Sequence, residues 1–198
     1  MTQIALLHSV LGIRPGVLDA AERLRADGHE VVVPDRYAGR VFDDYAEAMA
    51  FAEAIGYPTL LQTALDDVAD LPDGFVVAGF SQGAALAGYV ATRRAVSGAL
   101  LLAGALPLAA YAELVGELRW PAGVPAQLHQ TLGDPYRDQS ATDGLLADVR
   151  SAGGHGEAFD YPGDGHLFTD ASLPAEHDAA ATELLWSRVL PFLRGLEV

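Results

Sequence analysis

The chain has 198 residues, 51% of them hydrophobic and 20% charged, a globular composition long enough for one sizeable core. All 12 of its basic residues are arginine, and Lys, Cys and Asn are absent, which excludes a Schiff-base amine, a thiol nucleophile, a disulfide framework and a cysteine-built metal site. A net charge of −15 repels phosphate backbones and anionic headgroups, so the charge reads as a solubility device and nucleic-acid or membrane-surface functions are disfavoured.

Short apolar runs alternate with amphipathic stretches. Residues 4–8 read as a strand, after which Val17, Ala21 and Leu24 recur at helical spacing and Gly28 marks a helix end. Residues 31–33 form a second apolar strand, closed by Pro34. The stretch 44–69 is helical in composition, with an interruption at Gly56-Tyr57-Pro58 that predicts two helices. A third strand at 75–78 leads into a helix over 82–94, and 99–103 is a fourth strand. A fifth strand at 126–131 precedes a helix over 141–151, and a sixth covers 157–161. A last helix, 175–193, carries an apolar stripe of Ala181, Leu184, Leu185, Val189 and Phe192.

This alternation predicts one α/β domain over residues 1–198, with a mostly parallel sheet covered by helices on both faces. In such sheets function gathers in the loops at the carboxyl ends of the strands. Residues 4–7 are too short an apolar run for a signal peptide, and Gly104 and Pro107 break the most apolar segment, so a cytoplasmic protein without membrane insertion is expected.

The strongest motif is Gly79-Phe80-Ser81-Gln82-Gly83, between the third strand and the helix after it. A turn this sharp strains the middle residue, needs small neighbours, and lifts the serine oxygen above the sheet. The Gln82 amide then opens the helix and is available to a developing oxyanion. A serine nucleophile needs a base, and the base needs an orienting acid. His166 follows the sixth strand in a Gly-rich loop, and Asp134 follows the fifth, held extended by Pro135. The order Ser81, Asp134, His166 is the one this architecture uses; Asp138 and Asp164 are rivals for the acid. The loop His8-Ser9-Val10-Leu11-Gly12 after the first strand should supply the second oxyanion donor, from the Val10 amide or, as its rival, that of Leu11. Ser9 and Leu11 are expected to contact substrate. His8 and His166 find no third ligand at a recognised spacing, so no metal is expected, and the absence of a Gly-x-Gly-x-x-Gly turn leaves no dinucleotide cofactor. His29, His129, His155 and His177 read as surface or strand-end residues, Met49 and Phe51 as core, and the pairs Asp43-Asp44 and Asp66-Asp67 as solvated helix faces.

These residues resemble the dienelactone hydrolase family of α/β-hydrolases nearly end to end. His8 to Gly12 is similar to that family's first catalytic loop, Pro34-Asp35-Arg36-Tyr37 to its Pro-Asp-Leu-Tyr segment, and Gly165-His166 to its base. The string from Gly79 to Leu86 is also similar to the carboxylesterase and acyl-protein thioesterase branch. The resemblance implies an α/β-hydrolase fold, with Ser81 where the namesake enzymes use Cys and Ser9 where they hold a Glu that engages the resting thiol. It also implies that Asp170 stands where an arginine would hold a substrate carboxylate. No arginine lies between Arg40 and Arg93, so an uncharged ester suits the site better than dienelactone. The expectation is a serine hydrolase, monomeric or homodimeric, for small neutral esters, lactones or thioesters with short acyl groups in a shallow pocket. The alternatives are a carboxylesterase- or acyl-protein-thioesterase-like enzyme and a non-catalytic ligand-binding protein on the same fold.

Overall fold

The computed structural model describes residues 2–196. Six parallel strands run β1 (Gln3–Leu7), β2 (Glu30–Val32), β3 (Phe75–Phe80), β4 (Val96–Leu102), β5 (Ala126–Thr131) and β6 (Gly156–Tyr161), in the spatial order β2-β1-β3-β4-β5-β6. The order turns back once, between β2 and β3, and the candidate site gathers loops from the carboxyl ends of β1, β3, β5 and β6. Burial on both faces explains the unbroken apolar runs of β1, β3 and β4.

The helices are α1 (Pro15–Ala26), α2 (Tyr45–Ile55), α3 (Tyr57–Asp66), α4 (Gln82–Ala91), the short α5 (Ala112–Val115), α6 (Gln139–Ser151) and α7 (Ala179–Gly195). Right-handed crossovers put α1 on the face opposite α3, α4 and α6. α1 and α7 are joined by Arg23, which pairs with Glu183 at 2.6 Å and lies over the Trp186 ring. The predicted break between α2 and α3 is real: Gly56 adopts φ 86° there and Pro58 follows at the start of α3. Asp44, Asp138 and Asp178 cap α2, α6 and α7 by accepting from amides of the first turn.

Several expectations shift. The final helix starts at Ala179 rather than 175, because Asp178 caps it and the preceding residues form turns. Its buried stripe is rotated: Trp186 and Leu193 point inward and Leu184 is exposed. Asp67 is not a free solvated carboxylate, since it lies 3.6 Å from the buried Arg36 guanidinium, whereas Asp43 is exposed as expected and accepts from the buried Arg14 at 2.7 Å.

The β3–α4 turn is tightly packed. A Cβ on Gly79 would stand 2.1 Å from the Gly83 carbonyl oxygen, and one on Gly83 would stand 2.3 Å from that of Leu7. Neither oxygen can move without breaking the sheet or the helix start. Gly83→Ala should therefore destabilise the fold by more than about 3 kcal/mol, read as a large drop in thermal midpoint; a midpoint matching wild type would refute the close approach.

Candidate active site

Ser81 sits at the top of that turn with φ 53° and ψ −114°, a backbone conformation that costs a non-glycine residue about 1–3 kcal/mol. The strand delivers it, the two glycines permit it, and the Leu102 carbonyl accepts from its amide at 2.7 Å. His166 Nε2 lies 2.7 Å from Ser81 Oγ, and His166 Nδ1 lies 2.7 Å from Asp134 Oδ2. A carboxylate only accepts, so Nδ1 carries the proton, Nε2 presents its lone pair, and the Ser81 hydroxyl donates to it. Asp134 is 7% and His166 4% exposed, so the pair is withdrawn from water.

Asp134 accepts from the Tyr136 amide with its other oxygen, a local turn set by the intervening Pro135. Asp138 is the cap of α6, accepting from Ser140 and Ala141. Of the candidate acids, Asp134 is the one hydrogen-bonded to His166; Asp138 and Asp164 make no bond to it. The His166 loop is tied from both sides. Thr131 Oγ1 donates to the Gly165 carbonyl at 2.9 Å, and the Leu167 amide donates to Glu176 at 2.7 Å. A Cβ on Gly165 would stand 2.0 Å from the Glu176 carbonyl, which explains the glycine before His166.

Three residues that the sequence did not single out complete this arrangement. The Tyr45 hydroxyl donates to Glu176 at 3.0 Å, and burial together with that carboxylate pushes its pKa up. The rings of Tyr136 and Tyr45 lie 4.8 and 5.9 Å from the imidazole. Tyr136 carried a signal in following Pro135; Tyr45 and Glu176, 131 residues apart, carried none.

Val10 and Gln82 line the same cavity as Ser81, and neither of their amides donates to an acceptor among the described residues. The Leu11 amide donates to Ser9 Oγ at 3.2 Å and is not free for an oxyanion. The expectation that Ser9 and Leu11 contact substrate is corrected. Both side chains are buried beneath the loop, and neither lines the cavity. Asp170 is likewise structural: it accepts from the Gly16 amide and lies 3.4 Å from Arg14.

The cavity has a volume of about 420 Å³. Met49, expected in the core, is 45% exposed at its rim. Among the described residues, no cluster of His, Asp and Glu could hold a metal ion, and no helix is long and apolar enough to cross a membrane.

The dienelactone hydrolase family profile matches residues 2–196. The chain belongs to the dienelactone hydrolase family. At that level its chemistry is ester hydrolysis on an α/β-hydrolase fold. Among solved structures it is similar to a dienelactone hydrolase-like promiscuous phosphotriesterase from metagenomic libraries, at 16% identity and a TM-score of 0.78, covering 99% of this chain and 87% of that one. A Klebsiella pneumoniae protein described as a dienelactone hydrolase is 15% identical with a TM-score of 0.73, over 96% of this chain and 85% of that one. Esterase PE8 is 17% identical with a TM-score of 0.66, over 98% and 92%. At these identities the likeness is one of fold. No curated protein matches the chain.

Two histidines near the site are structural. His8, at the end of β1, is fully buried against the Tyr37 ring, and burial, then Arg36, lowers its pKa to about 3. His129, expected near the surface, is also fully buried on β5. Its Nε2 donates to Gln127 and its Nδ1 accepts from Tyr161. Burial, then Arg188, again lowers the pKa to about 3. Both are neutral in the fold, whereas an unfolded histidine titrates near pH ~6.5. Above ~6.5 neither state is protonated; below it the unfolded chain takes up protons that the fold refuses until about pH 3. Each histidine should therefore cost about 1.4 kcal/mol of stability per pH unit through that window. Denaturant melts of His129→Gln should show a pH slope shallower by about one proton between pH 6 and 4, and an unchanged slope would contradict the assignment.

Proposed function

We propose that this chain is a serine hydrolase that cleaves uncharged carboxylic esters or thioesters through an acyl-enzyme. The observation that carries the reading is the unbroken hydrogen-bond chain from Ser81 through His166 to Asp134, ending in a cavity with two unpaired amides.

In the first half-reaction Ser81 Oγ attacks the carbonyl carbon while His166 Nε2 takes its proton. The carbonyl π pair moves to oxygen, and the Gln82 and Val10 amides receive that oxyanion. The tetrahedral centre collapses, the bond to the leaving oxygen or sulfur breaks, and His166 returns the proton to the leaving group. Water then attacks the acyl-serine, His166 takes its proton, and collapse releases the acid and restores the Ser81 hydroxyl. Asp134 keeps His166 in the one tautomer that can act and offsets the imidazolium charge in each half. A serine hydroxyl needs the base in every cycle, so a carboxylate in the place of Ser9 to manage a resting thiolate would have no task.

A ligand-binding protein with the same side chains would show no Ser81-dependent turnover. Ser81→Ala should lower hydrolysis of p-nitrophenyl esters by about 10⁴–10⁶; equal rates in the two proteins would overturn the enzyme reading. Asp134→Asn should cost about 10⁴ in kcat, while Asp138→Ala should cost about 1 kcal/mol of stability through its lost cap and less than tenfold in rate. The reverse ranking would move the acid to Asp138.

A further inference from the structure

The walls of the cavity differ in kind. On one side stand Met49 of α2, Tyr57 at the start of α3, Ala85 of α4, and Ala105 and Leu106 of the loop after β4. None of these side chains offers a charge. The half-buried Tyr57 makes no hydrogen bond through its hydroxyl among the described residues, and burial alone pushes its pKa up to about 12. On the other side stand Gln130, Thr142 and Arg137, whose polar atoms are largely engaged within the protein. Gln130 donates to Asp160 at 2.9 Å, Thr142 to the Asp138 carbonyl at 3.1 Å, and Arg137 lies 3.2 Å from the Asp160 carboxylate. The cation at this wall is thus already paired.

The lobe lies where a chain on the acyl carbon would run. Gly104 packs against Ser81, since a Cβ there would meet the Ser81 carbonyl oxygen at 2.9 Å, and Ala105 and Leu106 continue directly from it. The leaving group must lie beside His166 to receive its proton, under Tyr45 and Tyr136, so the acyl chain extends away from the imidazole towards the 103–106 loop and the starts of α3 and α4. Met49 gives the second sign. α2 buries Ala48 and Ala52 and packs the partly buried Tyr45, Phe51 and Ile55 against the core, yet it places this large apolar side chain at the cavity rim and nearly half exposed. A lone exposed methionine needs no explanation, but one that continues a concave apolar wall beside a nucleophile does.

We infer that the site is built for esters and thioesters of uncharged, medium-length acyl chains, about six to ten carbons, held between Met49, Tyr57, Ala85 and Leu106. The inference rests on the serine-hydrolase reading above and adds its acyl specificity. A volume of about 420 Å³ is within the range of pockets that enclose small organic ligands and well beyond what an acetyl group fills. Each methylene that enters the lobe should raise kcat/KM by up to about fourfold, until the lobe is full.

The experiment is a kcat/KM series on p-nitrophenyl esters from acetate to dodecanoate. It is run on wild type, Ala85→Phe, which fills the lobe, and Met49→Glu, which puts a charge at its exposed rim where folding is little affected. Wild type should peak between hexanoate and decanoate, at least about tenfold above acetate. Both variants should lower the octanoate-to-acetate ratio about tenfold or more, with thermal midpoints recorded to show that each is folded. A wild-type optimum at acetate, or an unchanged ratio in folded Met49→Glu, overturns the acyl lobe while leaving serine catalysis standing. Hydrolysis of every ester independent of Ser81 would instead remove the catalytic reading beneath it.

Discussion

Ser81 is held in a left-handed backbone conformation because two carbonyl oxygens and a helix start leave room for nothing larger than hydrogen at Gly79 and Gly83. That close packing joins β1, β3 and α4 at a single point. It sets where the hydroxyl emerges, where the Gln82 amide points, and how near the β1 loop with Val10 can come. The local strain is about 1–3 kcal/mol and is carried by the burial of the central strands. A nucleophile on an ordinary loop would avoid the strain, and it would also lose the fixed relation between its oxygen and the two free amides.

His166, the proposed base, arrives from the other half of the sheet and is held by a different device. His166 is on a loop, and loops alone do not hold an imidazole to a few tenths of an ångström. Here Thr131, Glu176 and Tyr45 bind the loop's backbone or its neighbours, and Asp134 binds the ring. Tyr45 comes from α2, which also lines the cavity with Met49, so one segment both borders the cavity and packs against His166. Under the proposed mechanism this coupling makes the α2 segment part of both recognition and chemistry, although it contributes no group that reacts.

Much of this was legible in the sequence, and the reasons are specific. The β5 limits follow from the bracketing Pro125 and Gly133, and the chain order of Ser81, Asp134 and His166 follows from three short motifs, each at a strand exit. What escaped was information that exists only between distant segments. His129 looked like a strand-end residue because its partner Tyr161 is on the neighbouring strand, and the pairing that buries it is invisible until β5 and β6 are in register. Met49 scored as core by hydrophobicity, yet the alanines beside it supply the buried face of α2. Glu176 read as one acid among many, and its role depends on the loop folding back over β6. The site residues with local causes were readable, and those with only tertiary causes were not.

The negative balance of the chain also takes on a narrower meaning. Buried arginines are spent on structure: Arg36 donates to the His8 carbonyl beside the oxyanion loop, and Arg14 serves Asp43 and Asp170. Arg137, at the cavity, is matched by Asp160. An anionic substrate would find no unspent charge to meet it, while a neutral acyl group would find an apolar wall. The central claim is that Ser81 alone becomes covalently attached to substrate, and intact-protein and peptide mass spectrometry after treatment with an alkyl fluorophosphonate tests it most directly. The account predicts a single phosphonyl adduct, located on Ser81 and abolished in His166→Ala; an adduct on any other residue, or none under conditions that label a serine esterase run in parallel, would contradict it.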